Sequence, residues 1–127
     1  MRVKPTITTE NRALECARLA LDKKATNVRI IDIRRLTTIA DILVLADGRS
    51  DKQVQAIADS VRQGLKKFGK VLNVEGITEG KWAVIDYGDV MVHVFQEDIR
   101  RYYDLDELWA AALEIPVPAE YLWETHK

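Results

Sequence analysis

Three places in this chain carry residue types that could do chemistry. Gly48-Arg49-Ser50 follows an apolar run and precedes a helical pattern. A Gly turn at a helix N-terminus offers free backbone N–H groups and can hold a phosphate. Enzymes that transfer nucleotidyl groups use such a Gly-Ser element, but they also need paired acids on the following strand to hold metal. The following strand here, Val71-Leu-Asn-Val74, has no acid, which favours a turn and a helix cap. Asp104-Leu-Asp106 has the i, i+2 spacing of a metal-binding acid pair. Its position at a predicted helix start favours capping and dipole complementarity for Asp104, and leaves Asp106 and Glu107 as an acidic rim. The third place is Lys81–Gln96, where His93 follows Asp86 and Asp89. A His beside acids can act as a general base, yet no nucleophile or metal set accompanies this one. Donating a hydrogen bond within a strand pair is its commoner role. The other histidine, His126, is far away in sequence and there is no Cys/His cluster, so neither a structural zinc site nor any cofactor is expected.

Elements must position these groups, and Lys81–Gln96 reads most clearly. Trp82–Asp86 and Val90–Phe95 are nearly free of helix-favouring residues, and Tyr87-Gly88 between them predicts a tight hairpin turn. A two-residue loop there sets Asp86 opposite Asp89, Ile85 opposite Val90, Val84 opposite Met91 and Trp82 opposite His93. Alternation then puts Ala83, Ile85, Val90, Val92 and Val94 on one face, which has the character of a buried one. The other face carries Trp82, Val84, Asp86, Asp89, Met91, His93 and Phe95. Like charges directly opposite each other are destabilising. Either Lys81, Arg100 or Arg101 neutralises them locally, or the face is kept for a basic partner, with aromatics as its anchors.

The rest of the chain supplies the frame. Its 127 residues suit one domain, and 47% apolar content is that of a globular chain. Nineteen basic against twenty acidic residues give a net charge of −1, which argues against wrapping a nucleic-acid backbone. No apolar run approaches the ~20 residues of a membrane span. MRVKPTITTE has no apolar signal region, and the lone Cys16, set among helix-spaced apolar residues, suits a core position in a reducing compartment. A cytosolic protein, bacterial for want of a transit-like leader, is the simplest expectation. After a lead-in over residues 1–9, held extended by Pro5, a helix capped by Thr9 is predicted to about Lys24, then strands at Val28–Ile33 and Ile42–Ala46. Ser50 with Gln53 predicts a capping box for a helix ending at Gly69. Lys66, Lys67 and Lys70 read as a solvated face. A short strand at Val71–Val74 precedes the hairpin, a helical turn at Asp98–Tyr103 follows it, and Asp104 with Glu107 predicts a helix from Leu105 to about Leu113. Tyr102, Tyr103 and Trp109 read as core and rim packing. Pro116 and Pro118 stop regular structure before a tail, residues 114–127, with Tyr121 and Trp123 exposed. The order predicts a single α/β domain over residues 10–113, a mixed sheet with packed helices.

Trp82-Ala-Val-Ile-Asp86-Tyr87-Gly88-Asp89-Val-Met-Val-His93-Val-Phe95, then Arg100-Arg-Tyr-Tyr103-Asp-Leu105 and Leu108-Trp109, closely resemble the Iojap family of ribosomal silencing factors. Asp41-Ile-Leu-Val-Leu and Ser50-Asp-Lys-Gln53-Val54-x-Ala56-Ile57-Ala58-Asp59 fit it too. The likeness runs from about Ala13 to Ala112. Asp47, Arg49, Lys52 and Asp106 depart from the residues usual in the family. What the resemblance implies is a nucleotidyltransferase-like core without catalytic acids, and a protein that is not an enzyme. Family members bind ribosomal protein uL14 on the large ribosomal subunit, block its association with the small subunit, and so repress translation when nutrients are short. A basic partner of that kind gives Trp82 and Tyr87 the role of apolar anchors and makes Asp86 and Asp89 acceptors for Lys or Arg. His93 would orient the face, with Asp106 and Glu107 at its edge. Two rivals remain: a nucleotidyltransferase-like phosphotransfer enzyme using Gly48 and Ser50, and a homodimer that hides Trp82, Met91 and Phe95 away from the ribosome.

Overall fold

Apolar residues recurring at helical spacing in two segments, and at every second position elsewhere, require helices laid on a sheet. The computed structural model, which describes residues 6–124 and the side chains of residues 6–122, has that architecture. Helix α1 (Thr9–Asp22) starts one residue earlier than expected. Thr8 is its cap, accepting from the Asn11 N–H at 3.1 Å, and Thr9 is the first helical residue. Helix α2 (Asp51–Leu65) is capped by Ser50, whose hydroxyl accepts from the Gln53 N–H at 3.1 Å. The return half of the expected box is displaced: Gln53 Oε1 accepts from the Arg49 N–H at 2.7 Å. A 3-10 turn, Lys66–Phe68, carries α2 to Gly69. Gly64 lets α1 and α2 approach closely, since a Cβ there would lie 2.4 Å from Leu19 Cδ1.

The strands are β1 (Thr26–Asp32), β2 (Ile42–Gly48), β3 (Asn73–Glu75), β4 (Trp82–Asp86), β5 (Val90–Gln96) and β6 (Leu113–Ile115), in the order β3-β4-β5-β2-β1-β6. Every residue of β2 is buried. It runs parallel to β5 and antiparallel to β1, which explains its unbroken apolar run: both of its faces are covered. Helices α1 and α2 pack on one sheet face with Ile30, Val44, Ala83, Ile85, Val92 and Val94. Cys16 is fully buried in that layer, and burial pushes its thiol pKa well up. On the opposite face Ile31, Leu43, Leu45 and Phe95 meet Trp82, Ile99, Leu105 and Trp109. These come from β4, from helices α3 (Glu97–Tyr103) and α4 (Leu105–Leu108), and from the residue after α4.

Several expectations need correction. The short strand before the hairpin is Asn73–Glu75, not Val71–Val74. The helix expected from Leu105 to Leu113 ends at Leu108, and Asp104 does not cap it: its backbone is left-handed (φ 50°) and its side chain makes no cap bond. Leu113–Ile115 is instead an edge strand pairing antiparallel with β1, anchored by Glu114 on Arg29 at 2.6 Å. Leu-Glu-Ile alternates as a strand does, and the proline that follows suits a sheet edge. Regular structure also resumes after Pro118, in helix α5 (Ala119–Glu124), where Tyr121 is half-buried rather than exposed. Pro5, Trp123 as a side chain, and His126 lie outside the described residues. No helix among those described is long and apolar enough to cross a membrane.

Candidate functional site

The strand residues of the hairpin face as its alternation predicts, but Asp89 does not join the Trp82 face and the register differs by two. Trp82 lies opposite Phe95, Val84 opposite His93, Ile85 opposite Val92 and Asp86 opposite Met91. Tyr87 N–H bonds to the Val90 carbonyl at 2.9 Å, so the loop is Gly88-Asp89 and not Tyr87-Gly88. Gly88 has φ 92° while Asp89 is not among the positive-φ residues. That is the type II′ pattern, with Gly at the first loop position. The rejected register would have placed Tyr87 there, at a steric cost.

Asp86 and Asp89 are therefore not a cross-strand pair. Asp89 turns toward α1, accepting from the Thr9 hydroxyl at 3.0 Å, with Arg12 Nε 3.2 Å from Oδ1. Its neutralising cation is Arg12, rather than Lys81, Arg100 or Arg101. Tyr87 packs on the same side, against the α1–α2 layer with Arg12 over its ring. Asp86 accepts from the Gly88 N–H at 2.7 Å through one oxygen, and among the described residues its other oxygen accepts no hydrogen bond. The candidate residues thus divide. Trp82, Asp86 and His93 share the open side of the hairpin, while Tyr87 and Asp89 clip its tip to α1.

Trp82 is the hub of that open side. Its indole N–H donates to His93 Nδ1 at 3.0 Å, so His93 accepts the bond it was expected to donate. The indole ring centroid lies 5.1 Å from Phe95, 5.0 Å from Tyr103 and 5.9 Å from His93, within the range of favourable aromatic pairs. Burial lowers the His93 pKa from its ordinary 6.5 to about 4, so the ring is neutral at pH 7. A neutral ring with one nitrogen held as acceptor has a fixed tautomer, with its proton on Nε2.

Tyr103 reaches this cluster because α3 is bolted to the sheet. Arg100, only 7% exposed, donates to Asp47 Oδ1 at 2.9 Å, to the Asn27 carbonyl at 2.6 Å, and through Nε and Nη2 to both Asp106 oxygens at 2.9 Å. Arg29 adds a second cation to Asp106 at 2.6 Å. The Arg100 hydrogen bonds, supported by those of Arg29, hold the Asp106 carboxyl well below the usual range. Asp106 is thus a structural clasp, and Glu107 beside it is exposed.

Sequence reasoning missed two members of the open face. Glu75 pairs with Val84 across β3–β4, so it projects on the same side as Trp82 and Asp86. A strand ending at Val74 leaves Glu75 in the loop that follows, whereas β3 includes it. Tyr103 is 54% exposed and Tyr102 81% exposed, not interior packing. A signal existed: adjacent residues on a helix point ~100° apart, so two consecutive tyrosines cannot both face one core. At the other proposed centre, the Ser50 hydroxyl is committed to capping α2, and Asp47 to Arg100 and Asn27. Among the described residues no group of three or more acidic, His or Cys side chains could hold a metal ion.

Residues 6–126 match the family model described as ribosomal silencing factor during starvation. The ribosomal silencing factor of Bacillus subtilis is 41% identical over 92 residues, covering 72% of this chain and 78% of the relative. That of Chromobacterium violaceum is 37% identical, covering 75% and 82%. The chloroplastic Iojap protein of Arabidopsis thaliana is 31% identical over 85% of this chain, which covers 45% of that longer protein. A crystal structure from Chromobacterium violaceum superposes with a TM-score of 0.80 at 32% identity, covering 82% of this chain and 88% of that one. One from Bacillus halodurans gives 0.71 at 34% identity, covering 80% and 93%. With the whole described fold and most of its length accounted for, this chain belongs to the ribosomal silencing factor family that includes the Iojap proteins.

Proposed function

We propose that this protein is a non-enzymatic repressor of translation that docks on the large ribosomal subunit through ribosomal protein uL14 and prevents the small subunit from joining. The role suits nutrient limitation, when idle ribosomes accumulate. The observation that carries the reading is the open end of the sheet. On the Trp82 side of the sheet α3 packs against β5 and β2, while Trp82, Val84, Met91 and His93 remain half-buried and Tyr103 is more than half exposed. Asp86 and Glu75 add negative charge on that side. An aromatic centre with acidic groups beside it fits a basic protein surface: the aromatics slow release and the charges speed encounter. Trp82 is the central anchor, and Asp86, Glu75 and Tyr103 surround it. Glu107 belongs to the rim, while Tyr87 and Asp89 shape the hairpin that presents the face.

The test is a subunit-joining assay with purified subunits. The protein should lower the yield of joined ribosomes in proportion to its occupancy of the large subunit, and Trp82→Ala should lose both effects. Full co-sedimentation of that variant with large subunits would remove this face from the reading. Unimpaired joining in the presence of bound protein would remove the blocking mechanism.

A further inference from the structure

At the centre of the open face stands one hydrogen-bond donor that the fold does not use. His93 lies in the middle of the sheet, opposite Val84 on β4 and beside Leu45 on β2. Its Nδ1 accepts from the Trp82 indole at 3.0 Å, which leaves the proton of the neutral ring on Nε2. That Nε2 makes no hydrogen bond among the described residues. Nor is it one of the fully buried polar atoms without a partner, which are Thr26 Oγ1, Tyr87 Oη and Asp89 Oδ1. It therefore keeps surface that a partner can reach. Turning the ring over would break the Trp82 bond and disturb its stacking on Phe95, where the planes lie 12° apart with centroids 5.8 Å apart. These contacts fix the direction of the donor in the free protein, so little ordering is left for the moment of binding.

We propose that His93 is the specificity-determining residue of the docking face, its Nε2–H donating to an uncharged oxygen of the partner, a main-chain carbonyl or a hydroxyl. This rests on the reading that the partner docks against Trp82. Once a partner covers the face, an Nε2–H without an acceptor is buried and unsatisfied, which is costly. The same cost rejects a partner that brings a second donor or a cation to that spot. A carboxylate is disfavoured for another reason. Asp86 is the diagonal neighbour of His93 across β4–β5, roughly 7–8 Å away, and Glu75 lies on the same side. The two residues therefore ask for different things: Asp86 takes a cation and His93 takes a neutral oxygen beside it. A basic surface without that oxygen meets the charge requirement and fails the second one, so the donor discriminates where net charge does not.

Binding kinetics and NMR of the intact protein with isolated uL14 test this. His93→Asn sets an amide oxygen where Nδ1 was, so it can still accept from Trp82, but it has no atom at the Nε2 position. Its affinity should fall about fivefold, the loss typical of one hydrogen bond. The loss should lie in faster dissociation, with the association rate and its salt dependence parental, and the Trp82 indole N–H resonance should keep its parental position. In the 15N-labelled parent, His93 should carry its proton on Nε2, and that proton should exchange with water more slowly in the complex. Alanine substitution of the Ser and Thr residues of uL14 tells the two acceptors apart. A hydroxyl acceptor makes the His93→Asn penalty vanish in one of those variants, and a main-chain carbonyl leaves it intact in all. Parental affinity in His93→Asn, a proton on Nδ1 in the parent, or unchanged exchange at Nε2 in the complex would each overturn the proposal. Trp82→Ala separates this contact from the face that carries it. Full binding by Trp82→Ala removes the face and the contact together, whereas loss in Trp82→Ala with none in His93→Asn removes the contact and keeps the face.

Discussion

The two faces of the β4–β5 hairpin solve the burial problem by different chemistry. On the α1–α2 face Ala83, Ile85, Val90, Val92 and Val94 are wholly inaccessible and packed on helix residues. On the other face the covering is an aromatic cluster around Trp82 and a short helix, α3, held down by ions. The first arrangement gains from apolar area, at ~25 cal/mol per Å² removed from water. The second depends on a few directional contacts around Arg100 and leaves part of its surface wet. A fold needs the first kind of face. A docking surface can be made only from the second.

Breaking the clasp should have the largest effect. Arg100→Ala leaves Asp47, 3% exposed, as an uncompensated buried charge, a change that typically costs ~3–5 kcal/mol. Urea denaturation should show that loss, and Tyr103 should become mobile by NMR as α3 detaches. Loss below ~1 kcal/mol would mean that the apolar contacts of Ile99 and Leu105 seat α3 without the ions.

Next come paired truncations, one from each face. Ile85→Ala removes a fully buried side chain and should cost ~3 kcal/mol in stability. Its affinity for the large subunit, measured where it is still folded, should be unchanged. Trp82→Ala should do the opposite: ~2 kcal/mol in stability, because the ring is only half-buried, but a loss in affinity of at least ~30-fold, as for a central anchor. If the two variants lost affinity equally, the functional division between the faces would fall.

How much of this division was legible in advance follows from the physics of alternation. A period of two assigns faces without knowing the partner, so Ile85 and Val92 were placed correctly. A register error of two residues preserves every face and changes every pair, and Asp86 was matched with Asp89 on that account. Only the turn type resolves it, through the φ of Gly88 and the penalty at Tyr87. The partners Arg12–Asp89 and Arg100–Asp47 are 77 and 53 residues apart, and no local pattern links them. β6 was hidden by its length, three residues after a helix-like stretch. The candidate face was half readable: Trp82, Asp86 and His93 came from the hairpin alone, whereas Glu75 and Tyr103 required the neighbouring strand and the seating of α3.

Acid should weaken the open face before the covered one. The folded His93 pKa, about 4, is below the ordinary 6.5 because burial disfavours the charged ring. As pH falls, the unfolded chain takes up this proton first. The stabilisation is thus complete above pH ~6.5 and is lost progressively toward pH 4. Between pH 7 and 5 the melting temperature should fall more steeply for the parent than for His93→Gln, whose amide oxygen can still accept from Trp82. Equal slopes would show that His93 is protonated in the fold without penalty.

The smallest expected effect separates the two hairpin carboxylates. Asp86 has one oxygen on the Gly88 N–H, a bond the side-chain oxygen of Asn can still accept. Asp86→Asn should therefore change stability by less than ~0.5 kcal/mol, as exposed substitutions do. Asp89→Asn, by contrast, removes the charge facing Arg12 in a part-buried contact and should cost ~1 kcal/mol or more. The order should invert on the ribosome. If a basic partner reads the open face, Asp86→Asn slows association a few-fold and flattens its salt dependence while barely changing dissociation. Asp89→Asn, whose charge points toward α1, should associate at the parental rate. A salt dependence that vanished with Asp89 and not with Asp86 would mean that the partner reads the tip of the hairpin, where α1 and Tyr87 meet, instead of the face around Trp82.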